Sequence, residues 1–117
     1  MPWAASALLS PTMRILLDQG TPAPLRAALL GHVVITAYER GWSTMANGAL
    51  LDAAQADGFD LILSTDQNIR YQQNLVGRRL AILVLPTTSW PRIRRHLDEI
   101  SAAVRTMGAG SYLELRW

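Results

Sequence analysis

Apolar residues occur along the chain in four short, nearly continuous runs, and each run is followed by residues that favour turns. The runs are rich in isoleucine, leucine and valine, which is typical of strands buried on both faces of a sheet. Glycine, proline and polar residues interrupt them before they reach helical length. The pattern therefore predicts four strands, at residues 14–18, 32–38, 59–65 and 79–86.

The segments between these runs have the spacing of amphipathic helices. The stretch "PLRAALLG", residues 24–31, places leucines at helical intervals before a glycine. An alanine- and leucine-rich helix is predicted from Asn47 to Gly58, with Ser43 or Asn47 as its N-cap. Two further helices are predicted, at residues 67–75 and 89–108, the second with a serine cap and a proline in its first turn.

Strands that alternate with helices predict an α/β fold, in which helices cover both faces of a mainly parallel sheet. A chain of 117 residues, 50% of them hydrophobic, suits one such domain. We predict a single domain at residues 13–117 after an N-terminal extension at residues 1–12, with Met13 as an alternative first residue. Residues 111–117, "SYLELRW", are predicted to form a short last strand or a tail.

The extension, "MPWAASALLSPT", lacks a basic start, and its apolar run is much shorter than the roughly 18 residues of a membrane span. We therefore expect a cytoplasmic protein that does not contact a membrane.

Two residue types are absent from the chain, and their absence excludes several chemistries. Without cysteine there is no disulfide and no thiolate metal site, and without lysine there is no Schiff-base or P-loop lysine. All eleven basic residues are arginines, and six of them lie between Arg70 and Arg95. Arginine binds phosphate bidentately, so this concentration indicates either a polyanionic partner or a solvated surface.

Carboxylates follow three of the predicted strands. Asp18 ends the first strand, Glu39 lies just past the second, and Asp66 ends the third. The carboxyl ends of parallel strands share one edge of the sheet, where ligands bind in open α/β folds. Two carboxylates that face each other there favour a bound cation such as Mg²⁺ or Mn²⁺. Each aspartate alone is also interpretable as a loop anchor or, for Asp66, as the cap of the following helix.

Three amides accompany these acids, and the two histidines have no obvious partner. Asn47, Gln67 and Asn68 can orient water or support metal ligands, but they add no negative charge. His32 and His96 lack a second histidine or a cysteine at metal-ligand spacing, which favours structural roles.

Several families with an aspartate at a strand end do not fit this chain. A dinucleotide-binding fold requires a glycine-rich turn after its first strand, whereas "DQGTPAP", residues 18–24, contains one glycine. Response-regulator receiver domains require a later lysine. Phosphatases of the haloacid dehalogenase type require a lysine and a second aspartate two positions after the first.

Four segments of the chain, in order, resemble the short PIN-like family, relatives of the PIN-domain ribonucleases that include toxins of toxin-antitoxin pairs. The first strand of that family typically reads like "ILLDENLP", and a glycine-histidine pair opens the second strand. A loop and a helix that opens with an acid follow, and the third strand ends in a hydroxyl residue and two acids separated by one residue. The matching segments here are "ILLDQGTP" at 15–22, "GHVVITAYERG" at 31–41, "WSTMANGALLDAAQADG" at 42–58 and "LILSTDQN" at 61–68.

The resemblance implies a three-layer α/β/α sandwich and metal-dependent cleavage of RNA. By position, Asp18 and Asp66 match the metal-binding carboxylates of the family, and Ser64 matches the hydroxyl residue that supports them. The chain departs from the family where Asn47 opens the helix and where Asn68 replaces the last acid. The site therefore carries only two acids, or three with Glu39, and weak binding of Mg²⁺ or Mn²⁺ is expected.

The leading hypothesis is a metal-dependent ribonuclease of the PIN-like type that acts as a toxin, with an antitoxin protein as a partner. Asp18, Glu39, Asp66 and Asn68 are its candidate catalytic residues, Asp18 and Asp66 its candidate metal ligands, and Gln67 a supporting residue. The alternative is a catalytically silent PIN-like module that binds nucleic acid, a nucleotide or a protein. The arginines expected to contact RNA are Arg70, Arg78, Arg79, Arg92 and Arg95.

A homodimer is also expected, because the segment "LVGRRLAILVLPTTSW" is predicted to leave apolar surface exposed at one edge of the sheet.

Overall fold

The computed structural model of the protein describes residues 12–71 and 78–117. Within these ranges a single sheet contains five strands, and every paired neighbour is parallel. The order across the sheet is β2-β1-β3-β4-β5. The strands are β1 (Arg14–Leu17), β2 (Val33–Thr36), β3 (Leu61–Ser64), β4 (Ala81–Val84) and β5 (Tyr112–Glu114).

Helical segments connect these strands, some of them α-helical and some of the tighter 3₁₀ type. The α-helices are α1 (Asn47–Ala56), α2 (Trp90–Ile93) and α3 (Leu97–Thr106). The 3₁₀ helices are Ala23–Ala28, Ile69–Tyr71 and Arg94–His96.

Both faces of the sheet are buried along the three inner strands, β1, β3 and β4, whose side chains point alternately to the two faces. Along β1, Ile15 and Leu17 contribute to one core and Leu16 to the other. The first core is covered by α3 and the 3₁₀ helix Ala23–Ala28, and the second by α1. The structure confirms the predicted α/β fold with a parallel sheet between helical layers.

The strand predictions are confirmed, and the helix predicted at residues 24–31 is of the 3₁₀ type. Within residues 24–31 the helix ends at Ala28, and it is a short 3₁₀ helix, Ala23–Ala28, with Pro24 in its first turn. Of the segment predicted as a helix at 67–75, the described residues contain a 3₁₀ turn at Ile69–Tyr71. The rest of that prediction, like the extension before Thr12, lies outside the described residues.

The predicted helix caps differ in outcome. Ser89 caps α2 as predicted, since its hydroxyl accepts a hydrogen bond from the backbone N–H of Arg92 at 3.4 Å. The caps predicted for α1 are wrong, because its N-cap is Ala46 and no side chain caps it. Asn47 is already inside the helix, and its amide contacts the loop after β3 instead.

The predicted exposed edge is also wrong, because β4 lies inside the sheet between β3 and β5, and residues 80–85 are buried. The reason given above for a homodimer therefore does not hold. None of the helices in residues 12–71 and 78–117 has the length and apolar character that a bilayer crossing requires.

Candidate functional site

The strand order places the connection after β1 next to the connection after β3. From β1 the chain continues to β2 on one side of the sheet, and from β3 it continues to β4 on the other. The carboxyl ends of β1 and β3 therefore flank a crevice, which is where open α/β sheets bind ligands. Asp18 directly follows β1, and Asp66 lies two residues after the end of β3.

One buried hydroxyl connects the two aspartate segments. Ser64, the last residue of β3, has no exposed surface, and its Oγ donates to Oδ2 of Asp18 at 2.7 Å. The same Oγ accepts a hydrogen bond from the backbone N–H of Asp66 at 3.1 Å. The predicted supporting role of Ser64 thus corresponds to a direct bridge between the two segments.

The Asp66 carboxylate is held by two donors. Its Oδ1 accepts the backbone N–H of Asn68 at 2.8 Å, and its Oδ2 accepts the side-chain amide of Asn47. The first of these bonds orders the turn after β3, as expected of an aspartate that caps a short helical turn. The second connects α1 to the site. Asn68 therefore binds the Asp66 carboxylate through its backbone N–H, whereas Asn47 binds it through its side-chain amide.

The loop after β1 packs tightly against the loop after β3. Oδ1 of Asp18 accepts the backbone N–H of Gln19 at 2.6 Å. A Cβ added to Gly20 would lie 2.6 Å from Oγ1 of Thr65, so a side chain at position 20 requires the Thr65 side chain or the loop to shift. Sequence reasoning missed Gly20, because the need for this glycine comes from a neighbour 45 positions away.

Gln67 and Glu39 have structural partners of their own. The Gln67 amide donates to the backbone carbonyl of Leu85 at 2.6 Å and so ties the loop after β3 to the end of β4. Glu39 accepts the backbone N–H of Thr36 at 2.9 Å and forms an ion pair with Arg26. These interactions lower the pKa of Glu39, with the backbone hydrogen bond as the largest cause.

Glu39 does not lie with Asp18 and Asp66 in a group of three possible metal ligands. In the part of the chain that the structure describes, no cluster of three or more acidic or histidine residues could hold a metal ion, so Glu39 does not join the aspartates. Among the same residues, no arginine or histidine forms an ion pair with Asp18 or Asp66. Two carboxylates without a cationic partner fit Mg²⁺ or Mn²⁺ that keeps several waters.

A cleft of about 490 Å³ adjoins Asp18 on the side of β2. Its walls include the loop after β1, the carboxyl end of β2 and Thr88 from the loop after β4. The volume falls within the roughly 300–1,000 Å³ typical of small-ligand sites. Tyr38 lies at this cleft, although sequence reasoning did not single it out.

Three of the arginines expected to contact RNA lie on the same side of the sheet as the aspartates. Arg70 follows β3, while Arg92 and Arg95 belong to the helical segments that follow β4. Arg70 donates to the Tyr71 hydroxyl at 2.6 Å, which is the largest cause of its raised pKa. Arg92 donates to the backbone carbonyl of Trp117 at 3.1 Å.

The other two arginines lie at the opposite edge of the sheet. Arg78 and Arg79 precede β4, and residues that precede parallel strands share the edge away from Asp18. The side chain of Arg78 is only 8% exposed and pairs with Asp52 at 2.7 Å. The structure does not bring these two arginines to the aspartates.

Both histidines make local contacts. Nδ1 of His32 accepts the backbone N–H of Met13 at 3.1 Å. His96 stacks on Trp117, with ring centroids 4.1 Å apart. These contacts agree with the structural roles predicted for both residues.

Comparison of the chain with protein-family models, with curated protein sequences and with solved structures gives no match.

Proposed function

We propose that the chain is a PIN-like, metal-dependent ribonuclease in which Asp18 and Asp66 hold one Mg²⁺ or Mn²⁺ ion. The observation that carries this proposal is the Ser64 bridge, which joins the two aspartate segments at the crevice between β1 and β3. The order of the motifs that resemble the family supports the choice of RNA as the substrate. Arg70, Arg92 and Arg95 belong to segments that follow β3 and β4, and arginine is suited to phosphate, although Arg70 also pairs with Glu114 at 3.5 Å.

Four residues of the candidate site have specific roles in this proposal. Asp18 and Asp66 supply the negative charge, and Ser64 links their two segments by donating to the Asp18 carboxylate and accepting from the backbone N–H of Asp66. The Asn47 amide restrains the Asp66 carboxylate. The chemistry supplied by a bound Mg²⁺ or Mn²⁺ is activation of water and stabilisation of charge on the phosphodiester. Glu39, paired with Arg26, takes no part.

A second candidate function is a PIN-like module that binds RNA without cleaving it. The observation that favours it is that each of the four carboxylate oxygens of Asp18 and Asp66 already accepts a hydrogen bond from the protein. The site is therefore held together without a cation. The asparagines at positions 47 and 68 also remove two of the charges that the family uses.

The test is cleavage of a labelled single-stranded RNA by purified protein, in Mn²⁺ and in EDTA. The ribonuclease proposal expects cleavage in Mn²⁺ only, with loss of at least about 100-fold on Asp66→Asn or Asp18→Asn. The matched control is Asp98→Asn, which changes an exposed carboxylate in the first turn of α3 and should leave cleavage unchanged. Cleavage that persists in EDTA, or that Asp66→Asn leaves intact, would refute the proposal.

The second candidate gives a different result in the same experiment. RNA binding that is equal in Mn²⁺ and in EDTA, without cleavage in either, would favour the binding module.

A toxin role and an antitoxin partner rest on the resemblance alone. Expression of the wild-type chain in bacteria should then arrest growth, and Asp66→Asn should relieve the arrest at equal protein level. Equal toxicity of the two forms would contradict the toxin role.

A further inference from the structure

Tyr38 presents an aromatic ring at the cleft beside Asp18. The residue is 77% exposed, although its neighbour Ala37 is buried. Both residues line the cleft, together with Asp18 and Gly20 from the loop after β1. A large aromatic side chain left in water at the mouth of a cleft is suited to stacking on a flat ligand.

The backbone that carries Tyr38 is held by hydrogen bonds on both sides. The N–H of Ala37 donates to the carbonyl of Leu17 at 2.8 Å and so ties the turn to β1. The N–H of Gly41 donates to the carbonyl of Tyr38 at 3.0 Å, and the φ of 77° at Gly41 closes this turn. The exposed ring thus stands on an ordered backbone, which reduces the entropy lost when a ligand stacks on it.

Glu39 contributes to the same turn. Its carboxylate accepts hydrogen bonds from both the backbone N–H and the hydroxyl of Thr36, at 2.9 and 3.2 Å. The Thr36 hydroxyl oxygen in turn accepts the Glu39 N–H at 3.1 Å, and Arg26 pairs with the carboxylate. Glu39 is therefore a positioning residue for the turn that presents Tyr38.

We propose that the cleft binds one unpaired base of a single-stranded RNA, with that base stacked on the ring of Tyr38. This inference rests on the proposed function, because it names the form of RNA that reaches Asp18. Asp18 itself lines the cleft, so a base bound there brings its own phosphates close to Asp18.

Stacking on Tyr38 favours single-stranded RNA over duplex RNA. A base in a duplex has both faces covered by its neighbours, so its ring face is not available to Tyr38. Thr36 and Thr88 also line the cleft, and the Thr36 hydroxyl is engaged by Glu39. Among the described residues that line the cleft there is no arginine, so stacking on Tyr38 is the main attraction that the cleft offers to a base.

The experiment measures binding of a short, fluorescein-labelled single-stranded RNA by anisotropy in EDTA, where metal-dependent cleavage does not interfere. Tyr38→Ala should weaken binding roughly 10-fold, whereas Tyr38→Phe and Tyr38→Trp should bind like the wild type. Glu39→Gln should weaken binding by a smaller factor. The matched control is Leu30→Ala, since Leu30 is 85% exposed and precedes β2 at the opposite edge of the sheet.

A second variant tests the cleft itself. Thr88→Trp places a large side chain at the cleft wall and should also weaken binding, and thermal unfolding of each variant would check that its fold is intact. A Tyr38→Ala variant that binds single-stranded RNA as tightly as Leu30→Ala overturns the inference. Equal affinity of the wild type for a duplex of the same sequence also overturns it.

Failure of this inference is distinguishable from failure of the proposed function. Cleavage that depends on Asp18 but not on Tyr38, with binding unaffected by Tyr38→Ala, overturns the stacking site alone. Loss of binding on Tyr38→Ala in a protein that cleaves no RNA supports the stacking site and overturns the ribonuclease.

Discussion

Replacement of Ser64 by alanine removes the hydroxyl that joins the two aspartate segments. The wild-type Oγ makes one hydrogen bond to a carboxylate, at 2.7 Å, and one from a backbone N–H, at 3.1 Å. A hydrogen bond to a charged group contributes about 1.5–3 kcal/mol and a neutral one about 1 kcal/mol. Because Asp18 is partly exposed, water replaces some of the first contribution. We therefore expect Ser64→Ala to lower the free energy of unfolding by about 2–3 kcal/mol.

Urea unfolding at pH 7, followed by circular dichroism, measures this change. For a domain of this size the expected loss corresponds to a decrease in Tm of roughly 10 °C. The matched control is Ser101→Ala in α3, since the Ser101 hydroxyl oxygen contacts the exposed Arg105 at 3.1 Å and supports no other element. That variant should change the free energy of unfolding by less than about 0.5 kcal/mol.

Equal effects of the two serine substitutions would refute this reasoning. They would mean that the Ser64 hydroxyl stabilises the fold no more than a surface hydroxyl does. Such a result would also weaken the proposal that Ser64 sets the separation of Asp18 and Asp66.

The remaining predictions concern the stability of two glycine variants and the dependence of stability on alkaline and acidic pH. Gly110→Ala should lower the free energy of unfolding by at least about 2 kcal/mol, because φ is 74° and an added Cβ would lie 2.6 Å from a backbone oxygen. Gly31→Ala, with φ of 88° and open space, should cost only about 1 kcal/mol, and equal melting temperatures would contradict the difference. The pKa of Tyr112 is raised, mainly by burial and secondly by a hydrogen bond to the Glu114 carboxylate. The neutral Tyr112 side chain therefore contributes its full stabilisation below about pH 10, and this stabilisation is lost as the pH rises further. Urea unfolding at alkaline pH should show this loss in the wild type and less of it in Tyr112→Phe. The pKa of Glu39 is lowered in the folded protein, so its ionised carboxylate stabilises the fold above about pH 4.3. This stabilisation disappears as the pH falls through the pKa of Glu39 in the folded protein. Glu39→Gln should therefore be less stable than the wild type at pH 7 but equal to it at low pH, and a constant difference would contradict this cause.

The strands and their direction were predictable from the sequence because hydrophobic runs, turn residues and intervening helices are local signals. These signals place Asp18, Glu39 and Asp66 at one edge of a parallel sheet. They do not contain the order of the strands, which depends on how distant segments pack. The buried position of β4 illustrates this limit, since its apolar residues are equally consistent with an exposed edge.

The details of the candidate site depended on side-chain partners that the sequence does not reveal. Asparagine is a common N-cap, but α1 already begins at Asn47, so the N-cap is Ala46. The side-chain amide of Asn47 contacts Asp66 instead. Glu39 is at the predicted edge, but Arg26 and Thr36 bind its carboxylate in the turn after β2. Both outcomes are set by neighbours in space.

The Ser64 bridge also determines when the site can form during folding. Its hydrogen bond to Asp18 spans 46 residues, whereas β1 and β2 pair across a much shorter separation. Contacts between distant segments form slowly, because the entropy of closing the intervening loop must be lost first. A chain emerging from the ribosome therefore carries Asp18 for some time without its partner. We expect the paired aspartates only after β3 has docked beside β1, so that any activity of the site reports on completed folding.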